Sequence, residues 1–328
     1  RSPLDPYIIV RKEGASKQIG NNDDAGNGNP DSLLDFEIPE DGIYNINIRD
    51  QLYSSGPDYT YRIEIAVRGP SLSATLPYAT RNDSQKWKMI CVPRGNRVGR
   101  VVTLSRSNIG CDLDLGAANL PSGVSLDRDT ASRSINTMPV IFEATPEAEI
   151  AGALYHLHVK DPKSELTGPF TESIHHIEVN NAGTFHSYHD ERITIAVIEE
   201  APFELNLEVP PVPLVKNGTM NLKITAKRHP DFKEAIKLTL PWRPPGVSAP
   251  SSVTIPKEKN EVVMEINANG GAAVAKWRIF VSGEATCSRG PLLISSKLQP
   301  IEIADPYVGG TIELAATELG QNTDLVCT

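Results

Sequence analysis

Cysteine is scarce in this chain: four of its 328 residues are cysteine, and no two of them form a C-x-x-C pair. Neither a disulfide scaffold nor a zinc ribbon is therefore indicated. Cys91 and Cys111 lie in neighbouring predicted strands, where an exported protein would allow a disulfide bond, and two free thiols are the alternative. Cys287 and Cys327 fall in different segments, so we expect no bond between them.

Basic residues are outnumbered by acidic ones, 32 against 41, which gives a formal net charge of −9. This balance argues against nucleic acid as the main partner and against an anionic membrane surface. Long apolar runs are also lacking, because no stretch reaches the roughly 18–20 residues of a membrane-spanning helix. The sequence therefore predicts no nucleic-acid partner and no membrane span in this segment.

Catalytic signatures are lacking as well, since the sequence contains no G-x-S-x-G, H-E-x-x-H, D-[TS]-G or P-loop pattern. His189, Asp190 and Glu191 are adjacent, but neighbouring residues of a strand point to opposite faces and cannot form a relay. We expect no enzyme activity. A hydrolase site of two carboxylates between modules is the alternative that a chain with 41 acidic residues leaves open.

Period-two alternation of apolar and polar residues dominates the chain, and this pattern predicts β-strands. Leu34–Ile38 and Tyr44–Ile48 alternate on either side of Pro39-Glu40-Asp41-Gly42, which predicts a hairpin. Tyr7–Val10 and Tyr59–Ile65 are two further predicted strands. Four strands rarely complete a sandwich of seven or eight, so we expect the opening module to be cut at its start.

The chain divides at two predicted joints, Gly69-Pro70 and Glu199–Glu204. About seven predicted strands lie between them, which fits one β-sandwich, and about six more follow. The only helix-like stretch is Pro146–Ala151, the size of a crossover at the end of a sandwich. We expect an all-β chain of tandem β-sandwich modules, truncated at both ends. The expected division is 1–68, 69–198, 199–304 (immunoglobulin-like) and 305–328, the last being the start of a further module or a tail.

Six motifs follow one another in order over residues 2–66: Leu4-Asp5-Pro6-Tyr7, Asn22-Asp23-Asp24, Asp31–Phe36, Pro39–Tyr44, Arg49-Asp50 and Gly56–Arg62. Together they resemble the bacterial pre-peptidase C-terminal domain, without that family's N-terminal strands. The resemblance implies a partial jelly-roll-like β-sandwich, of the secreted kind found beside the peptidase domains of exported hydrolases.

Three later segments also carry a resemblance: Pro211–Gly218, Pro244–Val247 and Asn267–Gly271. They look like the immunoglobulin-like repeats that follow this domain in large exported proteins of Planctomycetes-type bacteria. The two resemblances together imply an accessory region outside the cytoplasm, which is secreted, periplasmic or on the cell surface.

The loop over residues 20–31 is rich in carboxylates and amides, and its candidate metal ligands are Asn22, Asp23, Asp24 and Asp31. Calcium takes six to eight oxygen ligands at about 2.3–2.6 Å, so we expect calcium as the cofactor if there is one. The bidentate Glu of an EF-hand is missing, and Asp and Asn also suit plain capped turns, which is the alternative. The resemblance adds that similar collagen-binding domains of clostridial collagenases hold calcium, in part through an N-terminal segment that this sequence lacks.

Six of the seven histidines fall between residues 156 and 189. His156 and His158 share the solvent face of one predicted strand with Lys160, and a neighbouring strand bearing His176 would bring three imidazoles together. Zinc needs three or four such ligands at about 2.0–2.1 Å. Ordinary exposed histidines are the favoured alternative, because Lys160 repels a cation.

Aromatic residues make up only 6% of the chain and supply few candidates for a sugar or collagen platform. Tyr59 and Tyr61 alternate with polar neighbours, and Trp277 shares a strand face with Ile279, so we expect all three aromatic side chains in cores. Trp242 lies among prolines outside any predicted strand, so it is the expected exposed aromatic.

These patterns predict a non-catalytic, extracytoplasmic spacer and adhesive or binding region of a larger exported bacterial protein. The expected partners are an extracellular polymer, either collagen-like or polysaccharide, or a cell-surface protein. The alternative is a substrate-targeting accessory region of a secreted peptidase or other hydrolase.

Overall fold

The fold is known from a computed structural model that describes residues 2–26, 29–76, 89–179, 183–288 and 290–307, with side chains for all of these except 173, 175–179, 183–187 and 189. The described residues contain 24 β-strands and no α-helix, which confirms the all-β prediction. Within these ranges no helix is long and apolar enough to cross a membrane. The helix-like stretch Pro146–Ala151 is a turn followed by irregular backbone, so that prediction was wrong; Ala148 donates a single turn hydrogen bond to the carbonyl of Thr145.

The N-terminal sheet has three antiparallel strands: β1 (Pro6–Lys12), β2 (Gln18–Asn22) and β3 (Tyr44–Asp50). Their order is β2-β1-β3, so β1 is central. The predicted hairpin was wrong, because β3 pairs with β1 and residues 34–38 join no described ladder. Residues 59–65, the other strand predicted here, likewise join no described ladder, so that prediction was also wrong. Alternation of apolar and polar residues does not supply the neighbouring strand that a ladder needs.

The middle β-sandwich is a ten-stranded sheet folded over one apolar core. Its strands are β4 (Ser71–Thr75), β5 (Ile90–Pro93), β6 (Arg97–Ser107), β7 (Asp114–Ala118), β8 (Val124–Arg128), β9 (Thr137–Ala144), β10 (Gly152–Lys160), β11 (Thr167–Val179), β12 (Gly183–Asp190) and β13 (Arg192–Ile198). Their order is β5-β13-β10-β11-β4-β6-β9-β8, with β12 paired to β11 and β7 to β10. In β13 every second side chain is buried, which is why the sequence pattern located this strand.

The C-terminal β-sandwich holds the remaining strands around a second apolar core. They are β14 (Phe203–Glu208), β15 (Leu214–Val215), β16 (Thr219–Arg228), β17 (Ile236–Thr239), β18 (Val247–Ser248), β19 (Val253–Ile255), β20 (Glu261–Ala268), β21 (Ala275–Ile279), β22 (Ser282–Cys287), β23 (Gly290–Ser295) and β24 (Gln299–Ala304). The sheets are β14-β16-β20-β18, β19-β17-β22-β23 and β15-β24-β21. The pairing of β15 with β24 is parallel, whereas β14, β16 and β20 are antiparallel. These sheets form a β-sandwich around one core, as predicted.

Candidate functional site

A small apolar cluster joins the middle and C-terminal sandwiches. Phe280, Ile141 and Leu298 are each at most 5% exposed, and Val101 packs against them. Phe280 lies between β21 and β22 and turns away from the core of its own sandwich, which its neighbours Ile279 and Val281 enter. The two sandwiches therefore bury apolar side chains against each other instead of meeting only through a linker.

Gly99, on β6, provides the space for this contact. A Cβ atom at position 99 would lie 2.1 Å from Cε2 of Phe280, well inside the contact distance of two carbon atoms. Because Phe280 is fully buried, its ring has no free volume into which it could move. A glycine on the middle sandwich is thus required by an aromatic ring of the C-terminal sandwich.

Two buried polar contacts also cross the junction. The side-chain amide of Asn96, which is 2% exposed, donates to the carbonyl of Phe203 at 2.9 Å. The indole N–H of Trp242 is shared between the carbonyl of Thr137, at 3.2 Å, and its hydroxyl, at 3.1 Å. Because such bonds are directional, they restrict rotation of one sandwich against the other.

An ion pair closes the rim of the junction. Arg278 donates from Nη1 to Asp127 at 3.0 Å and to Asp129 at 3.0 Å, and from Nη2 to Asp127 at 2.6 Å. The hydrogen bond to Asp127 raises the pKa of Arg278 most, and the hydrogen bond to Asp129 raises it further. Partial burial opposes this effect. All three side chains are at least 29% exposed, so solvent screening leaves the ion pair a small share of the stability. Because the guanidinium of Arg278 bonds two carboxylates at once, the ion pair restrains the orientation of one sandwich relative to the other.

A cavity of about 520 Å³ opens beside these contacts, between residues 129–139 of the middle sandwich and β21 of the C-terminal one. Trp242 and Trp277 form one wall, with ring centroids 5.8 Å apart and ring planes tilted by 54°. We name this cavity the junction cleft and define it by its apolar lining: Ile135, Met138, Pro139, Trp242, Val274 and Trp277.

The junction cleft has the chemistry of a binding site. No His or Cys is among the residues that line it in the described part of the chain, and its carboxylate, Asp129, is bound to Arg278. Cavities of this size with aromatic walls and a few polar groups are typical of ligand sites at domain interfaces.

The predicted calcium ligands lie in a hydrogen-bonded loop of the N-terminal sheet. Asn22 Oδ1 accepts from the N–H of Leu33 at 2.9 Å, and Asp23 Oδ1 accepts from the N–H of Asp24 at 3.1 Å. The N–H of Asp31 donates to an amide oxygen in the same loop at 3.1 Å. Among the described residues, no group of three or more His, Cys, Asp or Glu side chains is arranged to hold a metal ion. Calcium therefore stays a prediction.

A second pair of carboxylates beside this loop was missed by the sequence reasoning. Asp50 is 6% exposed and accepts from the N–H groups of Asp5, Leu52 and Ser54, each at 3.0 Å. These hydrogen bonds lower the pKa of Asp50, and the bond from the N–H of Asp5 has the largest effect. Burial, and then the charge of Asp24 and other nearby carboxylates, raises the pKa of Asp5. Two signals were available: both residues lie in motifs that resemble the pre-peptidase C-terminal domain, and Asp50 stands at a strand end before a turn.

The histidine and cysteine hypotheses fare differently. His156 is exposed, and the half-buried imidazole of His158 lies over Gly116, where a Cβ would be 2.3 Å from Nε2. The side chains of the other four histidines in this stretch lie outside the described residues, so zinc stays a prediction.

Cys91 and Cys111 are both free thiols, so of the two alternatives the structure has the free thiols and not the disulfide bond. Cys327 lies outside the described residues.

Two of the aromatic predictions were wrong. Trp242 is only 5% exposed, because its ring packs in the junction beside Trp277 and its N–H finds a partner on the middle sandwich. Tyr61 is 65% exposed, because its segment has no ladder partner to carry it into a core. Trp277 does pack against the C-terminal core, as predicted. The prolines at 241, 244 and 245 indicated that Trp242 lies outside a regular strand, but not that its ring is buried against the middle sandwich.

Comparison with known proteins gives no family. No known family and no curated protein matches the sequence. Three of the solved structures that resemble the fold are the D00-D0 domain of intimin (10% identity, 72% of this chain and 100% of that one, TM-score 0.22), fibronectin(III)-like modules of Clostridium thermocellum CbhA (9%, 69% and 95%, 0.20) and Salmonella alpha-2-macroglobulin reacted with methylamine (12%, 90% and 19%, 0.25). At these TM-scores the likeness shows nothing about the function of this chain.

Proposed function

We propose that this chain is a non-catalytic spacer and binding region, in which two β-sandwiches held in one orientation set the distance between whatever lies on either side of them. The burial of Phe280 between the sandwiches is the observation that carries the proposal. Domains joined by a linker alone move independently, whereas a buried apolar contact opposes that motion.

Three further contacts support a fixed orientation. The Asn96 bond lies close to the chain connection, the Trp242 bond lies beside the junction cleft, and the Arg278 pair lies at the rim. Each contact joins the two sandwiches, so a large change in their relative orientation would break at least one of them. The proposed arrangement is a rigid rod of two modules.

Export belongs to this proposal as well. The resemblance of residues 2–66 to the pre-peptidase C-terminal domain, together with the immunoglobulin-like sandwich, supports a secreted or surface-exposed region of a larger bacterial protein. The limits at residues 68, 198 and 304 are proposed as the natural module boundaries. A collagen-like polymer, a polysaccharide or a cell-surface protein is the proposed class of partner.

The rigidity is tested by measuring the distance between two spin labels, introduced as unnatural amino acids at the exposed positions Lys163 and Lys257 of the full chain. We expect one narrow distance distribution. The matched variant carries Phe280→Ala in addition and is expected to broaden it. A broad distribution in the otherwise native chain would exclude the rigid rod.

A second candidate is the accessory region of a secreted peptidase or other hydrolase, which the resemblance of residues 2–66 favours. Such a region holds an enzyme on an insoluble substrate. Pull-down of the full chain on insoluble collagen and on polysaccharides, repeated over a range of salt concentrations, tests this role. Retention on none of them leaves the spacer role alone.

A further inference from the structure

Strand β21 has an unpaired edge along the junction cleft. Within the described ranges β21 pairs with β24 and with no other strand. Residues 273–278, which include most of β21, line the cleft. An unpaired strand edge presents backbone N–H and C=O groups that are able to pair with another extended chain.

The register shows which groups these are. Arg278 stands opposite Pro300, and a proline has no N–H, so this pair is of the type that exchanges no hydrogen bonds. Since the two types alternate along an antiparallel ladder, Lys276 opposite Glu302 is also unbonded, while Trp277 opposite Ile301 is bonded. The N–H and C=O groups of Lys276 and Arg278 therefore point away from β24, toward the open edge.

No described hydrogen bond uses these four backbone groups. They lie beside the apolar wall made by Trp242 and Trp277, and Val274 at the start of the edge is 50% exposed. An edge with free donors and acceptors next to an apolar cavity offers both main-chain bonds and a pocket for a side chain.

The charges around the cleft indicate an uncharged occupant. Lys276 and Arg278 carry the positive charges at the cleft, and each has a carboxylate partner: Asp127 and Asp129 for Arg278, and Glu302 for Lys276. The Arg278 guanidinium is already bound by both carboxylates. Since Lys276 lies 4.0 Å from Glu302, a charged side chain entering the cleft would find no group of opposite sign that lacks a partner among the described lining residues.

We propose that the junction cleft binds an extended, uncharged peptide segment of a partner protein, which adds to β21 as a further strand by pairing with the N–H and C=O groups of Lys276 and Arg278 and places an apolar side chain against Trp242 and Trp277. The site is continuous with the interface between the two sandwiches, so the peptide contacts both of them. This inference rests on the proposed function and names the class of partner for its binding role.

The test measures binding of a fluorescein-labelled peptide to the full chain by anisotropy. The probe has about seven residues, so that it extends about one residue beyond each end of the five-residue β21, with valine and serine alternating around a central phenylalanine. Lys276→Pro removes one edge N–H without touching the ladder to β24, and we expect it to weaken binding at least about tenfold. The matched control Lys276→Ala removes the charge but keeps the N–H, and it is expected to bind within about twofold of the native chain.

A second measurement does not depend on the folding of a variant. The same peptide with N-methyl groups on the residues that face β21 cannot donate to it, and we expect its binding to the native chain to fall about tenfold. No binding of the probe at about 1 mM, equal binding of the methylated probe, or binding only of a proline-rich probe would each overturn the proposal. The spin-label distance is unaffected by these outcomes, so failure here is distinguishable from failure of the rigid rod.

Discussion

Replacing Phe280 by alanine is expected to uncouple the unfolding of the two sandwiches. The ring of Phe280 is fully buried between them, with Ile141 and Leu298 as its neighbours. Removal of a buried phenylalanine ring costs about 3–5 kcal/mol through lost burial and the cavity left behind. The exposed Arg278 ion pair contributes no more than about 1 kcal/mol. Phe280 therefore contributes more of the free energy that couples the sandwiches than the ion pair does.

The assay is urea unfolding of the full chain, followed by both far-ultraviolet circular dichroism and tryptophan fluorescence. A coupling of several kcal/mol is a large fraction of the roughly 5–15 kcal/mol that stabilises a domain, so the native chain is expected to unfold both sandwiches in one transition. Phe280→Ala is expected to give two transitions that the two probes report at different urea concentrations.

Phe170→Ala is the matched control. Phe170 is also fully buried, but it lies within the core of the middle sandwich. Its removal is expected to lower the midpoint while the junction stays intact, so that one transition remains. If Phe280→Ala also keeps one transition, shifted as in the control, the buried ring does not couple the sandwiches and the reasoning is wrong.

Four other predictions address the rest of the chain. Gly116→Ala is expected to lower the melting temperature, at a cost of about 1–3 kcal/mol, because its methyl group collides with the imidazole of His158, and adding His158→Ala should restore much of the loss. The pKa of Asp50 is held below 3.8, so the ionised carboxylate contributes stability above pH 3.8, and this stability is lost as the pH falls through the lowered pKa. Tyrosine circular dichroism should report this acid unfolding. The variant Asp50→Asn should remove most of the pH dependence of the unfolding. Reductant should leave the melting curve unchanged, because Cys91 and Cys111 are free, whereas a lower melting temperature would indicate a bond. If the loop over residues 20–31 binds calcium, calorimetric titration with calcium should give heat and the melting temperature should rise. If neither effect is seen, the calcium hypothesis is wrong.

The strands that the sequence located best are those with one face in a core. In β14 and β16 the buried and exposed positions alternate as the apolar and polar residues do. Local pattern is sufficient there, because the burial of each side chain depends on which face of the sheet it occupies.

Pairing and contacts between modules could not be predicted in this way. Residues 34–38 alternate as clearly as β14 does, yet they join no described ladder, because a ladder depends on a neighbour distant in sequence. The burial of Trp242 depends on Thr137, which lies 105 positions earlier in the chain. The free edge of β21 follows from its place at the end of the order β15-β24-β21, and the backbone groups that face this edge are known only from the register against β24.

In both sandwiches a strand near the start of the module lies parallel to the strand that ends it: β5 pairs with β13 over four residue pairs, and β15 pairs with β24 over two. When a chain is pulled from its two ends, parallel terminal strands slide past each other, and all their hydrogen bonds share the load at once. Such a clamp resists tension better than antiparallel strands that unzip one bond at a time. The middle sandwich, with the longer clamp, would therefore be the stronger link if this region transmits force between a cell and the surface to which it is attached.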